Sequence, residues 1–316
     1  MTSPPASWKI LSAFAIIYFV WGSTYLAIRV GVLEMPPFLM AGIRFFLAGA
    51  ILYGWLRLTG VPAPTRREWR DAIILGALMF LMDYACLFWA EQRVPSGISA
   101  VILAAIPVCI TLLEMMLGTQ KLTVRLALGL AVGIAGVGVL VNPFSSLGEA
   151  PLDHRGVIAL IVACWGWSIG TVVTRRVTLP KSKALGSAMQ MLCGGIQLLI
   201  LAGVAGEFTR FHPRSISPAA WFSLFYLITA GSIIAFTAYV WLLHYEPPTK
   251  VGTYAYVNPM VAVILGAFLG GETVGRRTVL AGLLILIGVA AITTMKAKPA
   301  EQPAQSLQSA RGEENL

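Results

Sequence analysis

Long apolar runs constrain this chain more than any other feature of its sequence. A helix rising about 1.5 Å per residue needs about 20 residues to cross a hydrocarbon layer about 30 Å thick. Lipid offers backbone amides no hydrogen-bond partner, so continuous apolar runs of this length predict helices rather than barrel strands. The chain is therefore predicted to be an all-α integral membrane protein with ten transmembrane helices. The runs cover residues 9–31, 36–58, 71–92, 96–118, 122–141, 154–175, 184–205, 219–243, 249–270 and 275–296.

The composition agrees with residence in a lipid bilayer and argues against other classes. Apolar residues make up 57% of the chain and charged residues only 12%. The four cysteines lie inside apolar runs without a CxxC pair, so we expect neither a disulfide framework nor a metal site. No cofactor motif occurs, and no cofactor is expected. The net charge of +9 comes from loop Lys and Arg, which argues against a nucleic-acid partner.

The loop charges predict an orientation. With the loops assigned alternately to two sides, 15 Lys and Arg fall on the side of both termini and 7 on the other, with Arg44 inside a helix. Cytoplasmic loops carry the excess of Lys and Arg. We therefore expect a multi-pass protein of the cell inner membrane with both termini in the cytoplasm.

The second half of the chain repeats features of the first. We expect one repeat over residues 1–147, a second over 148–298, and a disordered cytoplasmic tail over 299–316. Because five helices is an odd number, the repeats enter the membrane in opposite senses, which predicts two inverted five-helix repeats around a central cavity. At a shift of 152 positions the matches are Pro95 with Pro247, Pro107 with Pro259, Gly118 with Gly270 and Gly136 with Gly288; at smaller shifts they are Trp21 with Trp165 and Gly49 with Gly195.

Pro107 and Pro259 lie inside predicted helices. Each removes a helical hydrogen bond and is expected to kink its helix, which makes both candidate hinges. A role in packing alone is the alternative.

Two ionisable residues, Arg44 and Asp83, are placed near mid-depth in the second and third helices. Charges at that depth are normally paired or face a wet interior, so we expect an Arg44–Asp83 pair. It is either a structural clamp or part of a transport path that responds to protons or to a substrate carboxylate. Glu114 either extends toward the cytoplasmic surface or lines the inner mouth of that path, as a group linked to protons or to a gate. Glu91 is expected to face solvent.

Aromatic and small polar residues form a second set at mid-helix positions. They suit a cavity for small amphipathic substrates, with ordinary packing as the alternative. Together with the two charges, the candidate cavity residues are Tyr18, Trp21, Thr24, Arg44, Asp83, Tyr84, Trp165, Ser168, Gln190, Tyr254, Tyr256 and Asn258.

The segment from Gly166 to Gly170 matches the GxSxG pattern of hydrolases. That motif requires a turn from strand to helix and a histidine partner. Here it lies inside an apolar run, while all three histidines lie in loops or at helix ends. We expect no enzyme, and interpret the glycines as a helix-packing face.

Four segments resemble the drug/metabolite transporter superfamily, in particular its EamA-type exporters of ten helices: YFVWGSTY, AGIRFFLAG, VPSGISAVILAAIP and YAYVNPMVAVILGAFLGGET. The resemblance implies a secondary transporter that exports small metabolites, amino acids first, by alternating access through a central cavity, with protons as a possible partner. The alternative is a facilitator or exporter of drugs, nucleotide sugars or other small solutes. One departure is that Gly271-Glu272 has Thr119-Gln120 at the matching place in the first half. The oligomeric state is not determined by the sequence.

Overall fold

The computed structural model describes residues 6–119, 123–141, 152–174, 176–246, 251 and 254–293. Of these, the side chains at 125, 140, 141, 240, 243, 244, 255, 256, 292 and 293 lie outside the description. The predicted boundary at 147/148 and the predicted tail at 299–316 also fall outside it. Over the described ranges all regular secondary structure is helical.

Helices occupy nearly all of the predicted apolar runs. We number them in chain order: α1 (Ser7–Val32), α2 (Pro37–Leu58), α3 (Arg66–Ala90), α4 (Ser96–Met116), α5 (Val124–Val141), α6 (His154–Thr174), α7 (Lys183–Val204), α8 (Pro218–Tyr226, Leu227–Ile234 and Ala235–Tyr245 in succession), α9 (Tyr254–Phe268) and α10 (Arg276–Thr293).

The start of α3 precedes its predicted position by five residues. Thr65 and Glu68 form a capping box, in which each side chain pairs with the backbone N–H of the other residue. This pairing satisfies N–H groups that a helix start leaves without partners. A polar first turn is thereby added to the apolar run.

Seven helices of the described chain are long and apolar enough to cross a membrane, namely α1–α4, α6, α7 and the Pro218–Tyr239 part of α8. Shorter apolar helices cover Leu126–Val139 in α5 and Val257–Phe268 in α9. The prediction of an all-α membrane protein is confirmed. Ten crossings and the inverted repeat stay predictions.

Two helices widen into π-helix at matching places. The π segments are Gly76–Met82 in α3 and Leu227–Ile234 in α8, the third helix of each predicted repeat. Such segments insert an extra residue per turn and often accompany functional sites. They lie where α3 faces α7 and α6 and where α8 faces α2 and α1.

Helix contacts recur between the two halves. Helix α1 packs on α8 and α9, as α6 packs on α3 and α4, while α2 packs on α7 and α5 on α10. At the α2–α7 interface a Cβ atom on Gly49 would lie 2.6 Å from the backbone nitrogen of Leu192, so only hydrogen fits there. This arrangement agrees with the predicted repeat.

Candidate functional site

Arg44 of α2 lies in a cage of aromatic rings inside the helix bundle. Its side chain is 3% exposed, and its Nε donates a hydrogen bond of 3.0 Å to Ser232 Oγ of α8. The guanidinium carbon lies 4.6 Å from the ring centre of Phe45, 5.4 Å from Tyr84 and 6.0 Å from Phe88. The negative faces of such rings stabilise a cation that has been removed from water.

The guanidinium of Arg44 retains unused donor capacity. Within the described part of the chain, Nη1 has no hydrogen-bond partner. Gly231 of α8 lies beside the other terminal nitrogen, since a Cβ there would be 3.4 Å from Nη2 and 2.9 Å from the Thr24 methyl group. A buried cation with an unfilled donor is suited to bind a carboxylate or another anionic group.

The predicted Arg44–Asp83 pair is wrong. Ion pairs within 4.0 Å join Arg70 to Asp71 and Arg93 to Asp153, and neither Arg44 nor Asp83 takes part in these. Successive residues of a helix point about 100° apart. Because Tyr84 faces Arg44, its neighbour Asp83 points away from the aromatic cage. Asp83 is 2% exposed, and within the described structure its Oδ1 has no hydrogen-bond partner.

Glu91, rather than Asp83, is the acidic residue of α3 on the same face as the cage. Tyr84, Phe88 and Glu91 follow one another at i, i+4 and i+7, which places them on one side of a helix. Glu91 is fully buried and interacts electrostatically with Arg44 and with Arg29 of α1. The expectation that it faces solvent was wrong, because α3 ends inside a covered junction of helices.

Trp21 brings two tyrosines together on the other side of α1. Its ring centre lies 5.2 Å from that of Tyr239 and 5.0 Å from that of Tyr254. The indole Nε1 donates to the carbonyl oxygen of Gly231 at 3.1 Å. Trp21 therefore joins this aromatic cluster to the same α8 segment that contacts Arg44.

The small polar candidates bind backbone carbonyls. Thr24 Oγ1 donates to the Trp21 carbonyl at 2.6 Å. In the amide orientation that satisfies both bonds, Asn258 of α9 donates to the carbonyls of Tyr254 and Tyr18, each at 3.1 Å. These bonds lie along the contact between α1 and α9.

Ser168 binds carbonyls across the contact between α6 and α4. Its Oγ lies 2.6 Å from the Cys164 oxygen and 3.3 Å from the Ile106 oxygen. The hydrolase-like pattern around it is thus occupied in helix packing. Gly166 fits closely against α3, where a Cβ would be 2.9 Å from the Leu78 carbonyl.

The remaining candidates are spread over the bundle. Gln190 is buried in α7, and Glu114 is half-buried in α4. Trp165 is half-buried in α6, but the α6 ring that contacts Tyr84 is that of Trp167, at 6.4 Å. The side chain of Tyr256 lies outside the described residues.

The two prolines differ in effect. The helix α4 is interrupted between Leu103 and Ile106, directly before Pro107, whereas α9 continues through Pro259. The first-half helix is thus interrupted before its proline, while a kink at Pro259 and a hinge role for either proline stay predictions.

The residues that sequence reasoning missed are Ser232, Gly231 and Tyr239 of α8, together with Glu91. A polar residue within the apolar segment LITAGSII was the available signal. It was overlooked because serine is a common packing residue in membrane helices.

Carboxylates gather at one end of the bundle, which we call the carboxylate face. Here α1 ends and the even-numbered helices α2, α4, α6 and α8 begin. A helix start presents unpaired N–H groups and a partial positive charge, and a carboxylate satisfies both. The bonds are Glu207 with Leu39 N (2.7 Å), Glu272 with Ser96 N (2.7 Å) and Gly97 N (3.1 Å), Asp153 with Arg155 N (2.8 Å) and Gly156 N (3.2 Å), and Glu34 with Ser217 N and Oγ (2.6 Å each).

The pKa values of two of these carboxyl groups are shifted in opposite directions. The hydroxyl and then the amide of Ser217 donate to Glu34, which lowers the pKa of this carboxyl group. Burial raises the pKa of Glu207, although the backbone N–H of Leu39 acts against the shift.

Cavities lie at both ends of the bundle. One of about 880 Å³ separates the start of α1 from the end of α8 and is lined by Trp8, Lys9, Trp241 and Tyr245 among others. A second, of about 330 Å³, lies at the carboxylate face beside Glu34, Trp89 and Arg210. The described side chains contain no group of three or more His, Cys, Asp and Glu suited to a metal ion.

Comparison with known proteins relates this arrangement to transporters. The model of the EamA-like transporter family matches residues 8–142 and again 154–294. The inner membrane transporter YedA of Escherichia coli K12 is 37% identical over 93% of this chain and 95% of its own length. Protein PecM of Dickeya dadantii is 28% identical over 90% of this chain and 94% of its own length.

A crystal structure supports the fold. It is 21% identical, has a TM-score of 0.60, and is matched over 94% of this chain and 100% of its own. The family match spans nearly the whole length in two parts and agrees with the membrane-length helices. The chain belongs to the EamA-like transporter family and is a membrane transporter.

Proposed function

We propose that this chain exports small metabolites across the inner membrane by alternating access, and that amino acids are its main substrate class. The substrate carboxylate binds Arg44, and its apolar part lies against the rings around that residue. Both termini face the cytoplasm, so the carboxylate face is the outer face. The observation that carries this proposal is the buried guanidinium of Arg44 with its unfilled Nη1 donor.

The surroundings of Arg44 support a carboxylate with a compact apolar body. Nε is held by Ser232, which leaves the two terminal nitrogens to form the fork that matches a carboxylate. Gly231 brings the α8 backbone close to Nη2, and Trp21 and Tyr254 supply apolar surface one helix away. A cationic drug at the same place would be repelled by Arg44.

Alternating access is supported by the pairing of helix contacts between the halves. Helices α1 and α6 have matching interfaces in the two halves. A rocking of helix bundles could therefore convert one arrangement into another in which the two halves have exchanged conformations. The interruption of α4 before Pro107 provides a place for such a motion.

One feature supports the alternative substrates, which are drugs, nucleotide sugars and other small solutes. The Trp21–Tyr239–Tyr254 cluster is suited to amphipathic molecules that carry no carboxylate.

Efflux from proteoliposomes tests the proposal. Vesicles are preloaded with radiolabelled amino acids or with the amines obtained by removing the carboxylate, with and without a pH gradient. We expect saturable efflux of at least one amino acid, no comparable efflux of its amine, and loss of the amino-acid flux in Arg44→Gln. Arg66→Ala, at the exposed start of α3, is the matched control and keeps the flux.

Two results would contradict the proposal. Amines carried as well as amino acids would favour the alternative substrates. If Arg44→Gln transports amino acids as wild type does, Arg44 does not bind the substrate.

A further inference from the structure

Buried oxygen atoms without partners gather where α3 ends and α4 begins. Glu91 and Ser96 are both fully buried, and neither carboxyl oxygen of Glu91 nor the Ser96 hydroxyl has a hydrogen-bond partner among the described residues. A polar atom withdrawn from water in this way costs free energy unless another group satisfies it. The Glu91 carboxyl group is therefore buried without a hydrogen bond, and binding a proton would remove the charge that this burial disfavours.

The groups that interact with the Glu91 carboxyl come from four neighbouring segments. Arg29 and Tyr25 approach from α1, Arg44 from α2, Ser99 from α4 and Glu272 from the link between α9 and α10. Arg29 does not pair with the carboxyl group, because its Nη1 donates to the backbone carbonyl of Glu91 and, at 3.5 Å, to that of Val94.

Glu272 contributes the opposing charge. Its two oxygens accept the N–H groups of Ser96 and Gly97, so the start of α4 stabilises it as a carboxylate. Space around it is limited, since the Ser96 hydroxyl would lie 3.3 Å from a Cβ on Gly266. A second negative charge on Glu91 would repel Glu272 across this small site, whereas Arg29, Arg44 and the Ser99 hydroxyl act in the opposite direction.

We propose that Glu91 is a proton-binding site that controls the carboxylate face. With the proton bound, Glu91 is neutral and Glu272 holds the start of α4, which is the arrangement in the structure. When the proton passes to water at this face, the Glu91 carboxylate moves toward Arg29 and Arg44 and repels Glu272, so the start of α4 separates from the α9–α10 link. The inference deepens the proposed function and rests on it only in that opening this face is one step of alternating access.

The backbone amides of Ser96 and Gly97 report directly on this contact, because Glu272 is the acceptor for both. Hydrogen exchange at these amides is measured on the full chain in nanodiscs, without substrate, between about pH 5 and 8, and corrected for the intrinsic pH dependence of exchange. We expect the corrected exchange of wild type to rise at least tenfold across this range. Glu91→Gln, which is permanently neutral, stays protected throughout.

The matched control is Glu68→Gln, a carboxyl group in the capping box at the other end of α3, which is expected to behave as wild type. If Glu91→Gln does not fold, Glu91→Asp retains a titratable group and is expected to keep the rise in exchange at a shifted midpoint. The proposal is overturned if wild-type exchange is constant with pH, if Glu91→Gln keeps the wild-type rise, or if Glu91→Asp loses it. Since no substrate is present, failure of amino-acid efflux leaves these results unaffected, and an absent pH response leaves the efflux results unaffected.

Discussion

Replacing Arg44 by lysine separates the charge of this residue from its geometry. The ammonium keeps the positive charge, but it loses the planar fork and the Nε bond to Ser232. A carboxylate bound by both terminal nitrogens then loses one charge-assisted hydrogen bond, which is worth about 1.5–3 kcal/mol. At about 1.4 kcal/mol per factor of ten, we expect KM for the transported carboxylate to rise roughly 10- to 150-fold.

The assay is initial-rate efflux from proteoliposomes that contain equal amounts of folded wild-type and Arg44→Lys protein. Ser232→Ala serves as the control, because it removes the Nε bond and leaves both terminal nitrogens in place; its KM is expected to rise less than that of Arg44→Lys. A KM for Arg44→Lys within about threefold of wild type would refute the reasoning. A lowered Tm with unchanged KM would instead identify Arg44 as a structural clamp between α2 and α8.

Three further predictions concern stability, each measured as the apparent Tm in detergent. Gly49→Leu places a side chain against the α7 backbone and is expected to cost at least about 1–3 kcal/mol, with loss of monodisperse protein on size exclusion; an unchanged Tm would show that α2 and α7 separate freely. The pKa of Glu207 is raised in the folded protein, so its ionised form opposes folding. The stability contributed by this group is greatest below the ordinary carboxyl pKa and declines as pH rises through the raised value. Glu207→Gln, which keeps an acceptor for Leu39 N–H, is expected to remove this decline, and a decline equal to that of wild type would show that Glu207 is not its cause. The lowered pKa of Glu34 has the opposite sign, so its contribution is present above the ordinary carboxyl pKa and is lost as pH falls through the lowered value; Glu34→Gln is expected to be less stable than wild type at neutral pH and equal to it in strong acid, whereas a difference that persists in acid would exclude the charge as its cause.

The carboxylate face gives Glu272 a role that its position in the sequence did not indicate. Sequence comparison of the halves showed a glutamate in one and Gln120 in the other. In the structure this carboxylate caps the start of α4, a helix of the opposite half. Glu272 thus holds a helix start, and Gln120 lies outside the described residues.

The sequence by itself determined the helices and their approximate ends. Runs of apolar residues in lipid have helix as their solution, and length sets where each begins and ends. The exceptions were local: hydrogen bonding by Thr65 and Glu68 extended α3, and Pro107 interrupted α4 while Pro259 left α9 continuous.

The identity of the buried polar residues was also readable from the sequence, because Arg44 and Asp83 stand out within apolar runs. Their partners were decided by the tertiary structure. Side-chain direction changes by about 100° from one residue to the next, so depth alone did not distinguish Asp83 from the face of α3 that carries Tyr84, Phe88 and Glu91. Likewise, Ser232 became the partner of Arg44 only when α8 packed against α2. Helix formation depends on local sequence and solvent, whereas the neighbour of a buried charge depends on how helices rotate and pack against one another.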